Sequence, residues 1–105
     1  MHKREVLTEE EQIKRIKKPE PGQLYAVVTA TLGAGKLTVD CSDGKTRLAR
    51  IPGKMRKRVW IRIGDIVLVR PWEIEPDTKC DVEWRYTPTQ ANHLKKTGVL
   101  KNLDI

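Results

Sequence analysis

The sequence predicts an all-β domain: a small closed or partly closed barrel of about five strands, with a helix at its C-terminal end. Three observations point there. From Leu24 onward, short apolar runs of period two alternate with Gly, Pro and Asp turn signals at close spacing. After Tyr86 the pattern changes, because Thr87-Pro88-Thr89-Gln90 has the form of a helix start. Finally, 105 residues allow one such domain and a tail.

Residues 1–22 read as a flexible, charged N-terminal tail. They run from Lys3 and Arg4 through Glu9, Glu10 and Glu11 to Lys17, Lys18 and Pro19-Glu20-Pro21-Gly22. Only Val6, Leu7, Ile13 and Ile16 are apolar beyond the first residue. That is too little burial to offset an ordering entropy of ~1–2 kcal/mol per residue. Thr8-x-x-Glu11 can cap a transient helix within it.

Residues 23–87 hold the barrel. Leu24–Leu32 is rich in Ala, Val and Thr and reads as the first strand, closed by the turn Gly33-Ala34-Gly35. Lys36–Cys41 alternates, with Leu37, Val39 and Cys41 on one face. Ser42-Asp43-Gly44-Lys45 is the next turn. Thr46–Ile51 sets Arg47 and Ala49 against Leu48 and Arg50, so its core face is ambiguous. Pro52-Gly53 ends it, and Lys54-Met55-Arg56-Lys57-Arg58 is a basic loop. Val59–Ile63 alternates again, with Val59, Ile61 and Ile63 opposite Trp60 and Arg62. Gly64-Asp65 turns into the compact apolar strand Ile66–Val69, and Cys80–Tyr86 is the last strand. Residues 88–105 form a C-terminal helix and short tail. Ala91 and Leu94 share a face, Gly98 terminates the helix, and Val99, Leu100 and Leu103 pack back on the barrel.

Composition narrows the function. The formal net charge is +7, which favours a polyanionic partner through counterion release. No apolar run approaches the ~18–20 residues of a membrane span, and the charged N-terminus has no secretory core. A cytoplasmic location is expected, and reduced thiols with it. Cys41 and Cys80 stand alone, which argues against a zinc site built from spaced ligand pairs and against a disulfide. Each is expected as a small strand residue. No metal or other cofactor is expected.

The charge is concentrated. No acidic residue lies between Asp43 and Asp65, while Lys45, Arg47, Arg50, Lys54, Arg56, Lys57, Arg58 and Arg62 lie inside that window. A purely basic stretch in a chain of mixed sign reads as a phosphate-binding surface, against the plainer alternative of a solvated loop. If Val59 and Ile61 face the core, Trp60 faces this surface, where its ring can stack on an unpaired base. The alternative is a buried ring with the register shifted by one. Catalysis has no support. His2 and His93 lack a nucleophile or carboxylate arrangement around them. Gly35-Lys36 and Gly44-Lys45-Thr46 lack the earlier Gly of a phosphate loop, since Ala30 and Val39 occupy those places.

The stretch Arg50-Ile-Pro-Gly-Lys-Met-Arg-Lys-Arg-Val-Trp-Ile-Arg-Ile-Gly-Asp-Ile-Val-Leu-Val69 resembles the signature of the translation initiation factor 1A family. Its core, Gly53-Lys-Met-Arg-Lys57, is also similar to bacterial initiation factor 1. The resemblance spans roughly residues 22–100, including Trp84-Arg85-Tyr86 and Leu94-Lys-Lys-Thr-Gly98, and the short basic form resembles the archaeal branch. It implies an OB-fold barrel with a C-terminal helix. It implies a monomer that binds the aminoacyl site of the small ribosomal subunit, over the decoding region of its RNA. It also implies cooperation with other initiation factors in loading initiator tRNA and mRNA. The residues matching the family's RNA-facing loop are Lys54, Arg56, Lys57, Arg58, Trp60 and Arg62, with Arg50 at the head of the signature and Arg85 matching more loosely. Eukaryotic members end in an acidic, apolar tail that docks on the subunit-joining GTPase. Only Leu103, Asp104 and Ile105 resemble it here, which leaves that contact open.

Two other readings remain at this point. One is a single-stranded nucleic-acid binder of cold-shock type, opposed by the absence of Phe and of an aromatic cluster. The other is a regulatory protein that binds a partner through a strand edge.

Overall fold

The computed structural model describes residues 8–56, 60–101 and 103. Five strands close into a barrel: β1 (Leu24–Gly33), β2 (Lys36–Cys41), β3 (Thr46–Arg50), β4 (Ile66–Pro71) and β5 (Lys79–Arg85). Around the barrel the order is β1-β2-β3-β5-β4, with β4 returning to β1. All pairings are antiparallel except β3 with β5, the parallel contact that completes closure. Three helices accompany it: α1 (Glu9–Lys14), the four-residue α2 (Gly53–Arg56) between β3 and β4, and α3 (Pro88–Lys96). This five-stranded barrel and its C-terminal helix are the expected fold.

The alternation in the sequence becomes the barrel interior. Ala26, Val28, Leu37, Val39, Cys41, Ala49, Val67, Val69, Cys80 and Val82 form one buried cluster. Small side chains suit it, because inward positions of a narrow barrel must all fit within one lumen. Cys41 and Cys80 are both buried there with free thiols, as expected of small strand residues. The ambiguous face of β3 resolves inward: Arg47 and Ala49 are buried and Leu48 only partly so.

The runs Ala26-Val27-Val28 and Ile66–Val69 are buried without alternation, because β1 and β4 are covered on both faces. Outside the barrel, Val27, Ile66, Leu68 and Tyr86 pack with Ala91 and Leu94 of α3 and with Leu100 and Leu103 beyond it. Thr87 caps α3 through a reciprocal capping box with Gln90, and Pro88 stands in its first turn. Gly98 has φ +80°, a left-handed conformation that ends the helix and turns Leu100 back to the core. Val99 stays half exposed, so of the three residues expected to pack back, two do.

The segment expected as a tail is described from Thr8 onward, and there it lies against the fold. Thr8 caps α1 through the Glu11 amide. Gln12 accepts from the Thr87 hydroxyl at 2.9 Å, and its carbonyl accepts from the Gln90 side chain at 2.9 Å. Tyr86 donates its hydroxyl to the Lys17 carbonyl, and Ile16 packs on the outer cluster. The physical reason is that α3 offers polar partners, so the segment needs few apolar anchors of its own. Residues 1–7 lie outside the described residues.

Candidate nucleic-acid interface

The expected strand over Val59–Ile63 does not form. Trp60–Ile63 are loop, with Ile63 and Gly64 in a turn, and Val59 lies outside the described residues. The alternation serves another purpose. Ile51, Met55 and Ile61 pack against the cluster of the barrel interior, anchoring the segment between β3 and β4. Met55 N–H donates to the Pro52 carbonyl at 2.9 Å, and Ile51 N–H to the Gly35 carbonyl at 2.8 Å. Ile63, which alternation placed inward, is exposed.

The far end of the loop is pinned by Asp65. Its carboxylate accepts from the Arg62 amide at 2.8 Å and from Arg85 Nε at 3.2 Å. Gly64 N–H donates to the Val28 carbonyl, and Val28 N–H to the Asp65 carbonyl. Gly64 sits at φ +92°, where a side chain is strained, so the turn needs glycine.

With the ends fixed, Lys54, Trp60 and Arg62 point outward. Trp60 is 82% exposed, which excludes a core ring in the described structure. A large apolar ring left in water beside cations is the feature that marks a stacking platform. Neither the Lys54 ammonium nor the Arg62 guanidinium has a hydrogen bond or ion pair among the described residues.

The remaining cations of the basic window differ. Lys45 pairs with Asp77 at 2.7 Å, Arg47 with Asp43 at 2.8 Å, and Arg50 with Asp81 at 3.1 Å. Arg50 also lies over the Trp72 ring, 5.3 Å from its centroid, and Trp72 Nε1 donates to the same Asp81. Arg85 is held by Asp65. Arg50 and Arg85 are therefore neutralised within the fold, while Lys54 and Arg62 keep their charge for a ligand. The side chain of Arg56, and Lys57 and Arg58 entirely, lie outside the described residues. Leu103 is buried beneath α3, so its side chain is not presented to a partner as it stands. Asp104 and Ile105 are outside the described residues.

Among the described residues no cluster of His, Cys, Asp and Glu could hold a metal, and no helix is long and apolar enough to cross a membrane.

Fold and surface together define a small barrel protein of the OB class, with a basic loop and an exposed Trp at one end. A sequence model of the family described as translation initiation factor 1A / IF-1 matches residues 10–104. Translation initiation factor 1A of Methanopyrus kandleri is 54% identical over 92 residues, covering 88% of this chain and 82% of that protein. Its namesake in Methanothermobacter thermautotrophicus is 50% identical over 91 residues, covering 87% and 92%. Among solved structures, YjeQ from Thermotoga maritima aligns at a TM-score of 0.51 and 22% identity, over 62% of this chain and 23% of that one. That likeness concerns the barrel fold alone. The chain belongs to the translation initiation factor 1A family. Its function is that of a translation initiation factor, and the cold-shock reading falls away.

Proposed function

We propose that the protein is a non-catalytic initiation factor that occupies the aminoacyl site of the small ribosomal subunit in the cytoplasm. There it binds decoding-site RNA and promotes loading of initiator tRNA and mRNA together with other initiation factors. The observation that carries this reading is the exposed Trp60 between unpaired Lys54 and Arg62 on a loop anchored at both ends. Anchoring matters because a preorganised loop loses less entropy on binding. Lys54 and Arg62, with Arg56, Lys57 and Arg58 from the same stretch, supply charge-assisted bonds to phosphates. Trp60 supplies stacking. Arg50 and Arg85 support the loop and the barrel wall through their carboxylates and touch RNA only if those pairs open. Residues 23–87 are the RNA-binding unit, flanked by the N-terminal segment and by the helical segment 88–105. Leu103, Asp104 and Ile105 are the candidate contact for the subunit-joining GTPase, and Leu103 takes part only if it leaves the core.

Co-sedimentation with purified subunits tests this. Saturable binding to the small subunit and little to the large one is the expected result. Equal sedimentation with both at near-physiological salt would leave only non-specific attraction.

A second measurement separates stacking from charge. Trp60→Ala is expected to weaken subunit binding by ~1–3 kcal/mol without changing its salt dependence or the melting temperature. Arg62→Ala is expected to make the salt dependence shallower, because fewer counterions are released. Normal affinity in Trp60→Ala would remove the ring from the interface.

A further inference from the structure

The N-terminal segment and α3 do not close on each other completely. They leave a groove of about 640 Å³, within the ~300–1,000 Å³ typical of binding clefts. Ile13, Ile16, Tyr25, Leu94 and Val99 form its apolar lining. Val99 is 47% exposed, although it follows a helix whose neighbouring apolar residues are buried. Gly98 is the cause: its left-handed turn sends Leu100 to the core and leaves Val99 at the groove.

The charged part of the lining is basic. Lys14 and Lys18 line it beside His93 and Thr97, and among the described residues no carboxylate does. Neither Lys14 nor Lys18 has a hydrogen bond or ion pair among the described residues. Their charge is therefore available to an occupant.

We propose that this groove docks an acidic, amphipathic segment of another protein. Its apolar side chains would lie on Ile13, Ile16, Leu94 and Val99, and its carboxylates would meet Lys14 and Lys18. The arrangement is that of a helix laid into a groove between two helical elements. A nucleic acid fits less well. The lining is mainly aliphatic, and its one aromatic ring, Tyr25, is engaged with Tyr86 at a centroid distance of 6.0 Å. Stacking of bases needs free ring faces. The groove shares no residue with the loop carrying Lys54, Trp60 and Arg62, so this protein contact and RNA binding are separable.

The test uses the full chain and a fluorescein-labelled helical peptide of about 14 residues, or four turns, with Leu on one face and Glu elsewhere. A control peptide carries Lys in place of Glu. Saturable binding of the acidic peptide alone is expected. Val99→Glu is expected to weaken it about tenfold and Lys18→Glu about fivefold, in line with tenfold per 1.4 kcal/mol. Val99→Glu is expected to melt normally and to bind a labelled oligouridylate as the parent does. Equal binding of both peptides, or unchanged acidic-peptide binding in both variants, would overturn the proposal as unspecific surface attraction. Self-association of the parent that Val99→Glu abolishes would assign the groove to a second copy. Loss of oligouridylate binding in Val99→Glu would assign it to RNA. Either of these also overturns the proposal, while failure of the Trp60 and Arg62 results would instead strike the ribosomal reading.

Discussion

Replacing Asp43 by Ala is expected to destabilise the protein by about 3 kcal/mol. Arg47 is only 3% exposed, and all three nitrogens of its guanidinium donate a hydrogen bond. It donates two parallel bonds to Asp43, at 3.0 and 2.8 Å, and a third from Nε to the Pro76 carbonyl. Asp43 lies in the β2–β3 turn and Pro76 in the β4–β5 loop. Arg47 thus ties two loops together where β3 meets β5. That parallel pairing begins at Leu48 with Lys79, next to the Leu48 N–H bond to the Thr78 carbonyl at 2.8 Å. Loss of Asp43 leaves a buried guanidinium without its counter-charge, a larger cost than loss of one hydrogen bond. Arg47→Met is expected to cost less, about 1–2 kcal/mol, because the carboxylate left behind is partly exposed and can be hydrated. For a domain of this size, 3 kcal/mol is a melting shift on the order of 15 °C. Asp43→Ala melting as the parent does would mean that barrel closure does not depend on the pair.

The same pair makes a signed prediction in pH. Arg47, foremost by its hydrogen bonds, holds the Asp43 carboxyl below its ordinary range in the folded protein. A carboxyl depressed on folding stabilises the fold above its unfolded pKa of ~3.9, and that contribution fades as pH falls through the lower folded value. The melting difference between parent and Asp43→Asn is therefore expected to be largest at neutral pH and to shrink below about pH 4. A gap that stays constant down to pH 2 would exclude ionisation of Asp43 as its source.

The barrel was legible because its signals are local. Leu37, Val39 and Cys41 alternate, Gly33 and Gly44 mark turns, and Thr87 with Gln90 writes a capping box, each within a few residues. What depends on long-range pairing was not legible. Val59–Ile63 has the period of a strand, but periodicity does not say that Ile61 packs on the barrel core while Ile63 faces water. The basic window looked uniform, yet its charge is cancelled at Arg50 by Asp81, 31 residues away, and at Lys45 by Asp77, 32 away. A linear charge run cannot show partners that a later strand supplies. Of the two positions the sequence leaves open for Trp60, exposed or buried, the structure shows the exposed one, although the strand register behind it does not exist. The cause of that exposure is the anchoring of Met55 and Ile61 on either side. Leu103, which the sequence offers both to the core and to a partner, is part of the core.

Replacing Tyr86 by Ala is expected to cost about 3–5 kcal/mol, as for other large buried rings. Tyr86 is 1% exposed and is the largest fully buried side chain among the described residues. It sits where β5 hands over to α3 and packs with Leu68, Leu94 and Leu100 in the outer cluster. Burial raises its phenol above the ordinary range, so the hydroxyl stays a donor and its bond to the Lys17 carbonyl persists through neutral and moderately alkaline pH. Tyr86→Phe isolates that bond. It keeps the ring and removes one hydroxyl, so the expected loss is about 1 kcal/mol. The larger signal is expected in hydrogen exchange. With that bond gone, the Lys17 end of the N-terminal segment keeps Ile16 and the Gln12 contacts to Thr87 and Gln90 on one side and the Glu20 and Pro21 contacts to Arg70 on the other. Amides of Arg15 and Ile16, which close α1 onto Gln12 and Ile13, are expected to exchange faster in Tyr86→Phe, while β1 and β4 amides keep their protection. Unprotected amides at Arg15 and Ile16 already in the parent would show that the segment is free in solution. Equal protection in parent and Tyr86→Phe would show that the remaining contacts hold it without the Tyr86 bond.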